Sequence, residues 1–488
     1  MRIHNKTAPV VFLAILTSAF ALAFMTADEF YVAAPGLACV IIMLWLWFTL
    51  WDRDQRIPFF DVGMLCALAT LVYTVYPLVN YWVGGFQFGI LSDGRLSTHD
   101  PDPLRIGYFH LRHVLYMFSF VFFYLMFRGR GTIEVGNVSP PGRSTRQVIV
   151  IFFLTLTGYF FLLQLTTGIN FNASYESDAF ESKLAAIANA PLLLLQISGK
   201  LAGILFVFKL ALLYIVVSRC RQKKWLIILL VWIIAEIVQA ILLKGARTGL
   251  VLFMMATALF YHRMIKPLSM KSLITLGAIL FLFFNLLGLY RSYMDISSLH
   301  LDLSQADASI LSSNNEFQSM LGTAYDVLQR KADGAHLPWY LYINDFINIL
   351  PPQQLMPFEK VDAPEWYLRE IGVSETGQGY MWGVITQSVA GLDWLDLALR
   401  GAILGYILAR IHRWYLKHQS GFLETLFYVY LCLNIYYTFR NTTGSILGFI
   451  VWEIIPVYII LQLGATILRR SKSDTHGIGI TATALNSK

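Results

Sequence analysis

Apolar runs of about 20 residues, the length that crosses a bilayer as an α-helix, recur about a dozen times in this chain. They cover residues 8–27, 30–50, 59–82, 107–127, 147–167, 194–218, 225–243, 249–265, 271–290, 396–415, 421–438 and 444–468. A bilayer core offers no water to backbone N–H and C=O groups, so such a run must satisfy them internally, and a helix does this within one segment. The pattern predicts an all-α polytopic integral membrane protein with about 12 transmembrane helices. Composition agrees: 57% of residues are hydrophobic and 14% are charged, against roughly 25% charged in soluble domains. The first run follows "MRIHNKTAP" and imitates a signal peptide. It has no small-x-small cleavage site and a second run follows at once, so it reads as an uncleaved helix.

Orientation comes from where the net charge of +7 is placed. Alternate connections read "WDRDQR", "RGRGTIEVGNVSPPGRSTR", "RCRQKK", "HRMIKPLSMK" and "RIHRWYLKH", and the tail reads "LRRSKS". The opposite connections carry "DEF", "SDGRLSTHDPDP" and "NFNASYESDAFES". Lys and Arg gather in cytoplasmic loops, so both termini are expected in the cytoplasm. The expected organisation is nine helices over 1–290, one large outer segment with short helices over 291–395, three helices over 396–470, and a cytoplasmic tail over 471–488. The outer segment is too long for a passive connector. The basic residues form short loop clusters and no basic face, so no nucleic-acid partner is expected. Cys39, Cys66, Cys220 and Cys432 make no CxxC pair and read as reduced.

The same bookkeeping puts three arginines at outer helix ends, where the positive-inside rule disfavours them. Arg247 lies in "ILLKGARTGLVLF", Arg291 follows "FLFFNLLGLY", and Arg440 sits in "NIYYTFRNTTGS". A lone arginine at an interface can simply snorkel to the headgroups. Three at similar depth, each beside Gly, Ser or Thr, point to a shared anion. Arg binds phosphate bidentately and keeps its charge. A polyprenyl diphosphate whose tail lies between helices suits the set, and Lys244 would add a fourth cation.

These residues also carry a family resemblance. "LLKGARTGLVLF" resembles the arginine-bearing turn of Wzy-type O-antigen polymerases, which join oligosaccharide repeat units. "NNEFQSMLGTAYDVL", "LPPQQLMPFEKVDAPEWYL" and "GQGYMWGVITQSVAGLDWLDLALRGAILGYI" follow in the order seen in that group. The resemblance spans roughly 240–445, and the first ~230 residues match only in hydropathy and number of spans. It implies a GT-C-like bundle in the bacterial inner membrane. It further implies a glycosyltransferase that moves a growing glycan from undecaprenyl diphosphate onto a new lipid-linked repeat unit at the periplasmic face. The donor's diphosphate would be held by Arg247, Arg291 and Arg440, and a chain-length regulator would be a partner.

Transfer to a hydroxyl benefits from a base, and Glu316, Asp326 and His336 in the outer segment are the candidates. Each also reads as a solvated or ion-paired loop residue. No Asp-x-Asp pair occurs in that segment, so neither a metal nor a cofactor is expected. Glu375, before Gly377 and Gly379, either shapes the glycan path or turns the chain into the next helix. Two other glycosyltransferase readings stay open. An O-antigen ligase would use His336, and a lipid-monophosphate-sugar enzyme would use the acidic pair Asp28 and Glu29. A flippase is the reading from another class. It would show internal repeats and broken helices, and the charges inside the spans are few: Arg112, His113, Lys209 and Glu236, of which Lys209 and Glu236 could pair.

Overall fold

The computed structural model describes residues 27–54, 58–84, 103–136, 138–167, 198–242, 247–295, 300–301, 316–334, 337–347, 349–350, 357, 363–370 and 382–469. The helices are α1 (Ala27–Asp54), α2 (Val62–Gly84), α3 (Pro103–Phe127), α4 (Arg143–Thr167), α5 (Ser198–Ser218), α6 (Lys223–Leu242), α7 (Arg247–Met264) and α8 (Met270–Tyr293). Then come α9 (Glu316–Ala332), α10 (Asn344–Ile347), α11 (Ala363–Glu370), α12 (Val384–Ala390), α13 (Trp394–His418), α14 (Phe422–Asn434) and α15 (Tyr437–Arg440). The last, α16 (Ser445–Arg469), widens into a π turn at Ile450–Ile454. Between α8 and α9 a two-residue antiparallel ladder pairs Met294 with Leu301 and Asp295 with His300.

Every predicted run from 30–50 onward overlaps a helix, and the run 8–27 falls almost wholly outside the described residues. Five stretches are long and apolar enough to cross a membrane: Val32–Asp54, Ile106–Phe127, Arg143–Leu163, Ser198–Ser218 and Ser445–Arg469. Shorter apolar helices cover Val62–Pro77, Gly249–Met264, Met270–Leu280 and Phe422–Asn434. On α4 and α6 the outward side chains Leu154, Phe161, Leu165, Ile227, Val231 and Ile234 are apolar and exposed. Exposed apolar area on this scale fits lipid and not water. The protein is an α-helical membrane protein.

At the centre α3 and α13 run parallel in close contact. Tyr108 meets Trp394 near their starts, at 5.6 Å between ring centroids, and Tyr124 meets His412 further along at 6.4 Å. Two glycines one turn apart, Gly401 and Gly405, permit the approach. A Cβ at either would overlap backbone of α3 at Tyr116 or Phe120. This small-x-x-x-small spacing is what lets membrane helices pack by direct backbone contact. α1 packs along α3 as well. α14 returns antiparallel to α13, with the Tyr415 and Tyr428 rings stacked at 4.0 Å.

These contacts define two ends of the bundle. One holds Arg128, Asp61 and His412; the other holds Arg112, Asp393 and Arg440. The described parts of the segment between α8 and α13 cover the Arg440 end. Tyr325 of α9 packs against Phe109, and the wholly buried α12 lies beneath α9. Lys331 of α9 donates to the carbonyls of Val389 and Gly391 at 2.9 and 2.7 Å, which closes the end of α12. Such side-chain donors satisfy the last carbonyls of a helix that is out of reach of water.

Candidate functional site

A groove of about 270 Å³ opens sideways between α2, α7 and α14. Its walls are apolar: Leu65, Leu68 and Val72 on α2, Val251 and Met255 on α7, and Leu433 on α14. Arg440 lines the same groove. The groove therefore joins a lipid-like surface to a fixed cation, the combination that an anionic lipid requires.

Local sequence explains how Arg440 is held. α14 stops at Asn434, a second short helix carries Arg440, and "NTTG" turns the chain into α16. The Arg440 guanidinium lies 5.5 Å from the Tyr437 ring centroid, a cation–π contact. The turn is pinned from the covering segment. Asp345 of α10 accepts the Gly444 N–H at 2.9 Å, and Asp345 is itself ion-paired to Arg400. Arg400 also pairs with Asp396 at 2.7 Å. Gly444 is required here, because a Cβ would collide with Asp345. Nearby, Arg112 makes two bonds of 2.7 Å to the Asp393 carboxylate and stacks over Trp394 at 4.5 Å. Asp393 holds φ at 53°, in the left-handed region, where the chain turns from α12 into α13.

Arg247 is the first residue of α7, one helical turn ahead of the groove residue Val251. Arg291 lies in the last turn of α8, two residues before its end, and α8 returns toward the Arg440 end. Glu316 opens α9, and Asp28 and Glu29 lie in the first turn of α1. Lys244, His336 and Glu375 lie outside the described residues. Asp326 is buried, and its carboxylate accepts bonds from Arg330 and Tyr367, both at 2.8 Å. Its partners tie α11 to α9. Asp326 also keeps the Arg330 guanidinium charged against the cost of burial. Lys209 and Glu236 pair at 2.6 Å between α5 and α6, with the Trp232 indole N–H on the same carboxylate at 3.0 Å.

Sequence reading missed a second polar centre, at the opposite end. Arg128, just past α3, bonds Asp61 through Nε at 2.8 Å and bridges to Asp54 through its terminal nitrogens. Asp61 also accepts from the Tyr124 hydroxyl at 2.7 Å and from the Met64 N–H at 3.0 Å, and His412 stands 3.5 Å away. Arg128 neutralises the buried Asp61 carboxylate, and the Tyr124 hydroxyl and Met64 N–H satisfy its remaining lone pairs. Beside this centre Arg263 donates to the Tyr415 hydroxyl at 2.9 Å and to the carbonyls of Glu134 and Gln419. Asp61 and Arg128 stand in the sequence as two charges at run ends. Nothing in a hydropathy profile pairs residues 67 apart.

Comparison with protein-family models, with curated proteins and with solved structures gave no match to this chain.

Proposed function

We propose that this chain is an oligosaccharide repeat-unit polymerase of the O-antigen type, a glycosyltransferase of the bacterial inner membrane. The reading adds to the helical membrane fold a count of about twelve spans in a GT-C-like bundle, with both termini cytoplasmic and the 291–395 segment periplasmic. The observation that carries it is the sideways-open apolar groove with Arg440 in its lining and Arg247 at the head of the helix that forms one wall.

In this reading the groove takes the first isoprene units of undecaprenyl diphosphate, and Arg440 and Arg247 bracket the diphosphate. Departure of the diphosphate builds negative charge on its bridging oxygen. A guanidinium fixed in a partly dry site stabilises that charge without reorganising. Asp345 and Arg400 act as positioning residues, because they hold the turn that follows Arg440. The covering segment receives the acceptor, a second lipid-linked repeat unit, and a chain-length regulator would dock on the assembled enzyme.

The test is a glycan ladder on a gel, in a deletion strain complemented with wild type or with Arg440→Ala at matched membrane levels. The expected result is a full ladder for wild type and a single repeat on the lipid core for the variant. Loss of even the single-repeat band in the deletion strain would make the chain a ligase or a flippase instead. A normal ladder from Arg440→Ala would remove the arginine from the site.

A further inference from the structure

The last helix holds a carboxylate inside the membrane-spanning part of the fold. Pro456 lacks an amide hydrogen, and its ring would press on the carbonyl of Trp452. The helix absorbs this by widening into the π turn at Ile450–Ile454, a device frequent at functional sites. Glu453 lies in that turn. Its carboxylate rests over Gly203 of α5, where any Cβ would overlap the carboxylate carbon and both oxygens. The Tyr430 hydroxyl of α14 donates to it. Lys200, nearly one turn ahead of Gly203, lies 5.9 Å over the Trp452 ring. Trp452 in turn donates its indole N–H to the Ile349 carbonyl of the covering segment at 3.0 Å. A carboxylate in a helix of this length and apolarity is costly and is by default a candidate for function.

Its neighbourhood continues to Arg440. Tyr430 meets Phe449 at 6.2 Å, Phe449 meets Tyr437 at 5.5 Å, and Tyr437 meets Tyr436 at 4.2 Å. Arg440 sits over Tyr437. One aromatic cluster thus has a guanidinium at one edge and a carboxylate at the other. Tyr430 is buried behind the cluster, while Tyr436, Tyr437 and Phe449 are only partly buried; ring faces of that kind can pack on the C–H faces of a sugar, with a carboxylate for its hydroxyls.

We infer that Glu453 is the general base of the transfer, which rests on the polymerase reading above. The acceptor hydroxyl oxygen forms a bond to the donor's anomeric carbon while its proton passes to the Glu453 carboxylate. The bond from that carbon to the diphosphate oxygen breaks, and its electron pair leaves on the diphosphate facing Arg440. The Tyr430 hydroxyl aims the carboxylate.

The experiment uses the full chain in nanodiscs, supplied with the lipid-linked repeat units that accumulate in a strain deleted for it. Elongation rate is measured from pH 5.5 to 9 for wild type, Glu453→Gln, Glu453→Asp and Tyr430→Phe, with thermal stability checked for each. General-base catalysis contributes about a hundredfold or more. Glu453→Gln should therefore lose at least that in rate and lose the acidic limb of the pH profile. Glu453→Asp should keep a displaced limb, and Tyr430→Phe, which removes the bond that aims the carboxylate, should lower the rate while keeping the acidic limb. The inference is overturned if Glu453→Gln elongates within about threefold of wild type. It is also overturned if the rate falls but the acidic limb persists, which is how a purely structural carboxylate behaves. If wild type does not elongate at all, the polymerase reading fails first, and that result is distinct from either.

Discussion

Consider replacing Arg128 with methionine, which keeps the packing of the stem and removes the charge. Arg128 is 2% exposed and its partner Asp61 is 3% exposed. Removing one partner of a buried pair costs about 3–5 kcal/mol, because the other charge is left behind. A ceiling applies: the fold can protonate one carboxyl instead. At pH 7 that costs about 1.4 kcal/mol for each of the roughly three units between pH 7 and a normal Asp pKa, or about 4 kcal/mol. Asp61 keeps its bonds from Tyr124 and Met64, so the expected loss is about 3–4 kcal/mol at pH 7.

The pH dependence separates this account from a packing defect. In wild type the Asp61 carboxylate is ion-paired to Arg128 at 2.8 Å and needs no proton to be buried. In Arg128→Met the folded state holds a proton that the unfolded state lacks, so the variant gains stability as pH falls from 7 toward 4. Equilibrium unfolding in mixed micelles, read at pH 7, 6 and 5, should show the deficit shrinking by up to about 1.4 kcal/mol per pH unit. Adding Asp61→Asn should restore much of the loss at pH 7. A deficit that stays constant with pH, or a variant as stable as wild type, would refute the buried-pair argument.

Gly405→Leu should destabilise the bundle by at least about 1–3 kcal/mol, since its side chain must displace the α3 backbone at Phe120; wild-type unfolding midpoints in that variant would show that the helices do not touch there. Leu68→Trp fills the groove from a position that is 44% exposed, so it should abolish the glycan ladder while leaving the unfolding midpoint within a degree or two of wild type. A normal ladder in that variant would mean that the groove holds no donor lipid.

How much of this was legible without the fold varies from one element to the next. Helices α1 to α8, α13, α14 and α16 were readable because the bilayer rewards unbroken apolar runs and forbids unsatisfied backbone. Arg440 was readable for the same reason, as a charge at the end of such a run. The pairing of Lys209 with Glu236 needed only that two charges within spans seek each other. Gly401 and Gly405 were readable in principle as a small-x-x-x-small motif, but their meaning depends on which helix faces them. In the sequence Asp345, Asp393 and Glu453 look like ordinary loop or helix charges, and Arg400 only weakens the apolar run 396–415. Their roles come from partners up to 281 residues away. That the chain is helical, membrane-embedded and interrupted by a large segment between α8 and α13 follows from local hydropathy alone. Which charges meet, where the groove opens and what stands beside Arg440 are set by packing in three dimensions, because burial raises the cost of an unpaired charge and close packing selects the partner that removes it.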